Sequence, residues 1–183
     1  MDRGWCIFGR NQVYGDELPV KREIRRAKAA DYDDVMDVYA RARVFMAANG
    51  NPTQWGDSSP DAHVVMSDME KNGYVVVEDN QIIGAFYFEE DAYEPVYDSI
   101  DGAWPDDAPY AVIHRCAVRN SSKGIGQFIL DWCFGRYGNI RIDTHRNNVP
   151  MKNLLNKNGF EYCGKVQYNK DDGERVAYQK RIP

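Results

Sequence analysis

Cysteine is sparse in this chain and never paired at short range: Cys6, Cys116, Cys133 and Cys163 form no C-x-x-C element. His63, His114 and His145 share no ligand spacing with them, which argues against a zinc site, and no metal is expected. Three of the thiols lie in apolar segments, as expected of buried free thiols in a reducing cytoplasm. Positive charge is in deficit too. Lysine and arginine number 23 against 28 aspartates and glutamates, so bulk attraction to nucleic acid or an anionic membrane is not expected. No stretch approaches the roughly 18 apolar residues of a membrane span. The opening segment MDRGWCIFGRNQVYGDEL lacks the apolar run of a secretory leader. Residues 1–22 read as a loose extension and residues 23–183 as one domain, without internal repeat or linker.

What is present is a regular alternation of periodic segments. A short strand is expected over Glu23 to Lys28, then a helix capped by Asp31. Val35, Val38, Tyr39, Ala42, Phe45 and Met46 give that helix one apolar stripe, and Asn49-Gly50-Asn51-Pro52 stops it. A second helix is expected to open at Ser59-Pro60 with Pro60 at its first position, its stripe formed by Ala62, Val65, Met66 and Met69. YVVVEDNQIIGAFYF reads as a hairpin turning at Asp79-Asn80. Residues 89–109 read as a long acidic loop, and loops of that length are usually functional or mobile. YAVIHRCAV is a strand, and Ile125, Phe128, Ile129, Trp132 and Cys133 mark the helix after it. NIRIDT is a strand, Met151, Leu154 and Leu155 a short helix, and FEYCGKVQY and ERVAYQKRI two closing strands about Asp171-Asp172-Gly173. The order β-α-α-β-β-β-α-β-α-β-β predicts an α/β fold with one mixed sheet.

Between YAVIHRCAV and its helix stands Ser121-Ser122-Lys123-Gly124-Ile125-Gly126, with two glycines and no carboxylate. The first backbone N–H groups of a helix are unpaired and carry partial positive charge, so a glycine-lined helix start suits an anion. Lys123 adds a cation. The spacing is not a Walker A loop, because Lys123 precedes Gly124. As a dinucleotide fingerprint it fails at Ile129, where a third glycine or alanine belongs.

The turn does resemble the [RQ]-x-x-G-x-[GA] signature of the GNAT family, the Gcn5-related N-acetyltransferases. Ser121 replaces the first Arg or Gln, and the turn is about two residues shorter than usual after Val118. A second signature follows in IDTHRNNVPMKNLLNKNGF: Asn148 stands twelve residues before Phe160, with Lys157, Gly159 and Phe160 in register. RRAKAADYDDVMDVY also looks like the family's first strand and helix. The resemblance covers roughly Glu23 to Ile182, and GNPTQW, VIHR, IDTHR and EYCG point to a bacterial subgroup of unknown acceptor.

The resemblance implies an enzyme that moves an acetyl group from acetyl-coenzyme A to a primary amine of a small molecule, amino acid or peptide, by direct attack in a ternary complex. It implies coenzyme contacts from Cys116, Ala117 and Val118 to the pantetheine arm, from Ser122, Lys123, Gly124, Ile125 and Gly126 to the pyrophosphate, and from Asn148 to the arm's other side. Asn148 would equally serve as a helix N-cap. His114 stands where several members place a catalytic Glu or His; a hydrogen-bonded core histidine is the alternative. Strand alternation puts His114 on one face with Tyr110, Val112 and Cys116. His145 is a weaker candidate base, expected in a polar network with Asp143 or Arg146.

Leu155 occupies the position of the family's usual general-acid tyrosine, which leaves Tyr110, Tyr162, Cys163 or water for the thiolate's proton. Trp55 would wall a pocket or cover the core. The eight acidic residues of Glu89 to Asp107, with Tyr93, Tyr97 and Trp104, suit a cationic acceptor or simply a solvated loop. Other readings are an acetyltransferase acting on a protein N-terminus or lysine, and a coenzyme-binding sensor without useful catalysis. Homodimers are common in the family, although nothing in the sequence requires one.

Overall fold

The computed structural model describes residues 21–119, 123–168 and 173–182. The expected extension over residues 1–22 therefore lies almost wholly outside the described residues. So do Ser121 and Ser122 of the glycine turn, and most of the final hairpin turn.

Eight strands and four helices are seen among the described residues. They are β1 (Arg22–Arg26), α1 (Tyr32–Ala48), α2 (Ala62–Glu70), β2 (Gly73–Glu78), β3 (Gln81–Glu89), β4 (Asp101–Gly102), β5 (Ala111–Val118), α3 (Ile125–Arg136), β6 (Asn139–His145), α4 (Val149–Lys157), β7 (Glu161–Gln167) and β8 (Glu174–Arg181). They form one mixed sheet in the order β1-β2-β3-β5-β6-β8-β7-β4. The fold class is as the sequence implies, with one strand more. β4 lies inside the acidic loop and pairs through Asp101 and Gly102 with Lys165 and Gly164 of β7, too short to leave a periodic trace.

Both faces of the sheet are covered. Val75 and Val77 point with Val35, Val38 and Tyr39 into the layer under α1, while Tyr74 and Val76 share the opposite layer with Ile125, Ile129 and Cys133 of α3. This alternation on β2 is the two-residue period of a strand buried on both sides. The hairpin turns where expected, Asp79 and Asn80 both lying in the left-handed region at φ 47° and 66°.

Several local expectations are corrected. Asp31 holds the N-cap position of α1 as expected, but its side chain makes no capping bond to that helix. Its carboxylate reaches back to the Lys28 N–H at 2.7 Å and to Arg25 at 2.6 and 3.0 Å, closing the 3-10 turn before the helix. The α2 helix starts after Pro60, because Asp61 supplies the cap by accepting the Val64 N–H at 2.9 Å. Ala62 and Met66 are exposed, and Val65 carries that helix's burial. Phe45, placed on the buried stripe of α1, is 56% exposed and lies at the lip of a cleft.

The feature that positions everything else is the parallel pair. β5 and β6 are in register only at Ala111–Ile140 and Val112–Arg141. Beyond that point the strands part, although β5 remains paired with β3 as far as Val118. One edge of β5 is thereby opened in the middle of a sheet.

Candidate functional site

Two chambers meet at this opening. One is a cleft of about 580 Å³ lined by Cys116, Ala117 and Val118 of β5, Lys123 and Gly126 of the glycine turn, Asn148, Met151 and Leu154 near α4, and Arg41, Phe45 and Met46 of α1. The other holds about 240 Å³ and is lined by His114, Arg115, Asp143, Thr144, Gln54, Tyr168 and Arg175, among others. Met46, Trp55, Cys116, Asn148 and Met151 border both.

The glycine turn is built for its place by two different means. Gly124 sits at φ 86° as the N-cap of α3, a left-handed conformation that costs other residues roughly 1–2 kcal/mol. Gly126 lacks a side chain for another reason: a Cβ there would lie 2.7 Å from the Leu154 Cδ2. The first turn of α3 has no side-chain cap and no acidic residue, so its amides and Lys123 leave that end of the cleft electropositive. Ile125 contributes only its backbone, since its side chain is 1% exposed in the core. Ser122 lies outside the described residues.

Asn148 caps α4, one of the two roles foreseen for it, and it also borders the cleft. Its Oδ1 accepts the Met151 N–H at 3.2 Å, while its Nδ2 donates to the Gln54 Oε1 at 3.1 Å. Gln54 Oε1 also accepts from the Asn51 Nδ2 at 2.7 Å. A chain of three amides therefore ties the loop after α1 to the start of α4. Trp55 of the same loop both covers the core, edge-on to Tyr39 at 5.6 Å, and walls the chambers.

The middle of β5 departs from simple alternation. Between His114 and Ala117 the strand carries one residue more than β3, and Arg115 lies at φ 51°. Cys116 is thereby turned to the α3 side with Ile113 and away from the face of Tyr110 and Val112, which corrects the expected grouping. The bulge is held by its own side chain: the Arg115 guanidinium binds both oxygens of Asp68 in α2, at 2.5 and 2.7 Å, and stacks 5.1 Å over the Tyr87 ring.

His114 faces the smaller chamber and meets a partner the sequence did not identify. Its Nε2 lies 2.9 Å from Glu94 Oε2, with both side chains mostly covered. The imidazole beside it holds the Glu94 carboxyl below its ordinary range, against the opposing effect of burial. Glu94 is itself fixed by its backbone, whose N–H donates to the Tyr110 hydroxyl at 3.2 Å. Tyr110 lines neither chamber. Its ring and that of Trp104 sandwich Arg141, at 4.1 and 4.2 Å. Trp104 of the acidic loop, with Tyr110 beyond it, thus holds a cation of the chain itself, and Trp104 further donates to the Tyr97 carbonyl at 3.1 Å.

Asp143 is the carboxylate that lines the small chamber. The hydroxyls of Tyr97 and Tyr168 both donate to its Oδ1, at 2.8 and 3.0 Å. Burial, with the Asp143 charge nearby, pushes both phenols far above their ordinary range, so they stay protonated. For His145, foreseen in a polar network with Asp143 or Arg146, the hydrogen bond seen runs within its own turn. His145 is fully buried and its Nδ1 accepts the Asn147 N–H at 3.2 Å. Tyr162 is 57% exposed, and Cys163 is buried with its Sγ directed to the Glu161 carbonyl. Neither lines a chamber. Leu155, at the tyrosine position, is fully buried core. Among the described residues no group of three or more His, Cys, Asp or Glu is arranged to hold a metal ion.

No protein-family model matches the chain, and neither does any curated protein. Solved structures do. A GNAT-family acetyltransferase from Streptococcus agalactiae is 32% identical over 88% of this chain and 96% of its own, with a TM-score of 0.80. The yncA protein of Salmonella typhimurium, solved with its cofactor acetyl-CoA, shares the fold at a TM-score of 0.60 and 15% identity, over 88% of this chain and 94% of its own. A ribosomal-protein-alanine N-acetyltransferase from Brucella melitensis does so at 0.60 and 17%, over 87% and 99%. With a relative of this identity and coverage, a single mixed sheet parted between β5 and β6, and the glycine turn at the start of α3, the chain belongs to the GNAT family of acetyltransferases.

Proposed function

We infer that the protein transfers the acetyl group of acetyl-coenzyme A to a primary amine of a small molecule, with His114 as the base. The reading rests on one observation above the others: His114, paired with Glu94 at 2.9 Å, lines a small chamber that adjoins the coenzyme-sized cleft.

The larger cleft fits the coenzyme in its chemistry. Its electropositive end, at Lys123 and the first amides of α3, suits a pyrophosphate. The unpaired edge of β5 from Cys116 to Val118 offers main-chain groups to an amide-bearing arm, as a sheet edge does to an added strand. When bound, acetyl-coenzyme A supplies an acyl group already activated as a thioester, so this chain need not form a covalent intermediate.

The chain's own task is the proton. An alkylammonium of pKa about 10.4 lies roughly three units above neutrality, a barrier of about 4 kcal/mol. The Glu94 carboxylate accepts the Nε2–H of His114, leaving Nδ1 as the lone-pair nitrogen and stabilising the imidazolium that forms. The amine nitrogen then bonds the acetyl carbon as the carbon–sulfur bond breaks. The ammonium gives up two protons in all, one to His114 and thence solvent, the other to the departing thiolate.

The volume of about 240 Å³ favours a small acceptor over a folded protein terminus or lysine. The buried Leu155 favours one competing reading, a coenzyme sensor without turnover. Thiol release from acetyl-coenzyme A across an amine panel, beside calorimetric titration of the coenzyme, tests both. Turnover that falls 10²–10³-fold in His114→Ala at unchanged coenzyme affinity supports catalysis. Tight coenzyme binding with no turnover on any amine overturns it in favour of the sensor.

A further inference from the structure

We propose that Asp143 anchors a second cationic group of the acceptor, so that the preferred acceptors are short diamines or compounds bearing a basic side chain. This rests on the acetyltransferase reading above and narrows its substrate.

Two charges beside the small chamber are already matched. Glu94 has His114, and Arg115 has Asp68. Arg175 donates to the Glu174 carbonyl at 3.0 Å and has further partners of its own. Asp143 has two hydrogen-bond donors, but both are phenols, and among the described residues no cation is seen within ion-pair distance of it. Two neutral donors on one oxygen fix the rotamer and leave the charge uncompensated. They also leave Oδ2 without a donor among the described residues. A mostly enclosed carboxylate of this kind is costly to keep without a counter-charge, and a ligand ammonium supplies one.

The position suits a second group and not the reacting one. Val112 and Arg141 form the last paired residues of β5 and β6, and both lie on the side of the sheet that holds Tyr97 and Tyr110. His114 and Asp143 are the next residues on that same side, one on each strand as the strands part. An acceptor with one nitrogen near His114 and another near Asp143 spans that gap with a short carbon chain. Trp55 and Tyr168 provide aromatic surface for the chain and its cation.

The test compares 1,4-diaminobutane with butylamine on the full-length protein and on Asp143→Asn. Asparagine keeps an oxygen at Oδ1 for the two phenols and removes the charge. For each pair, kcat/KM by thiol release and Kd by calorimetry on the coenzyme-saturated protein are measured. A diamine preference of tenfold or more in the wild type, falling to near unity in Asp143→Asn with coenzyme affinity retained, supports the anchor. Equal handling of the two amines by the wild type overturns it, as does a preference for α-amino acids over diamines. Binding of the diamine without turnover, lost in Asp143→Asn, supports the anchor while refuting catalysis, so the two failures are distinguishable.

Discussion

Asp68 of α2 grips one edge of the Arg115 guanidinium with both of its oxygens, and Arg115 is the left-handed residue of the β5 bulge. A helix that lines neither chamber with this residue thus fixes the strand bend that separates His114 from Cys116. Removing the grip should cost about 1–3 kcal/mol, the usual loss for a charge-assisted bond at a partly buried site. Asp68→Ala should therefore unfold at lower urea and lose at least tenfold in kcat. Loss of stability with unchanged kcat would show that the bend holds without Asp68.

Gly124→Ala should destabilise the protein by about 1–2 kcal/mol, because alanine resists φ 86°. Gly126→Val should act differently. The added atoms press on Leu154, which also borders the cleft, so coenzyme affinity should fall more than tenfold with a smaller change in melting temperature. Calorimetry and thermal unfolding on the two variants separate a backbone effect from a steric one.

The Asn148 amide both caps α4 and reaches Gln54. Asn148→Ala should lose about 1 kcal/mol from the cap alone. A double-mutant cycle with Gln54→Ala should show positive coupling of about 0.5 kcal/mol or more, since the residues touch. Strict additivity would mean that the bridge contributes nothing to stability.

Acid should loosen the site. The Glu94 carboxyl is lowered from its ordinary 4.5, first by His114 and then by the charges near it. A lowered folded value means the contribution is complete above the unfolded value and is lost as pH falls through the folded one. The stability advantage of wild type over Glu94→Gln should be constant above about pH 5 and shrink below about 4.5. Urea unfolding from pH 7 to 3 measures this, and an advantage that grows towards acid would contradict the pairing.

Cys116 borders both chambers, yet burial pushes its thiol up to about 12. It should resist alkylation at pH 8 in the folded state, and acetyl transfer should survive the treatment. Rapid modification with loss of activity would reveal a reactive thiolate there.

The parts of the site that were legible in the sequence are those that depend on local backbone chemistry. The glycine pair at 124 and 126, the cap at Asn148 and the position of His114 all follow from spacing along the chain. What the sequence hid depends on where distant segments pass. Glu94 was visible only as one of many acids in a loop, and nothing in its neighbourhood announces His114 as partner. The Arg115 bulge contains neither glycine nor proline, so alternation misplaced Cys116. Asp143 stood in a recognised strand, but the phenols that hold it come from residues 97 and 168, brought together by the sheet order.

The segment from Glu89 to Pro109 has a double attachment. Its Trp104, together with Tyr110 just beyond it, clasps Arg141 on the sheet, and its Glu94 touches His114. The same segment brings Tyr97 to Asp143. On the proposed function, proton transfer and acceptor choice are therefore mounted on a single stretch of chain. Grafting this stretch between relatives would shift pH optimum and amine preference together, and a lineage that altered one would carry the other along.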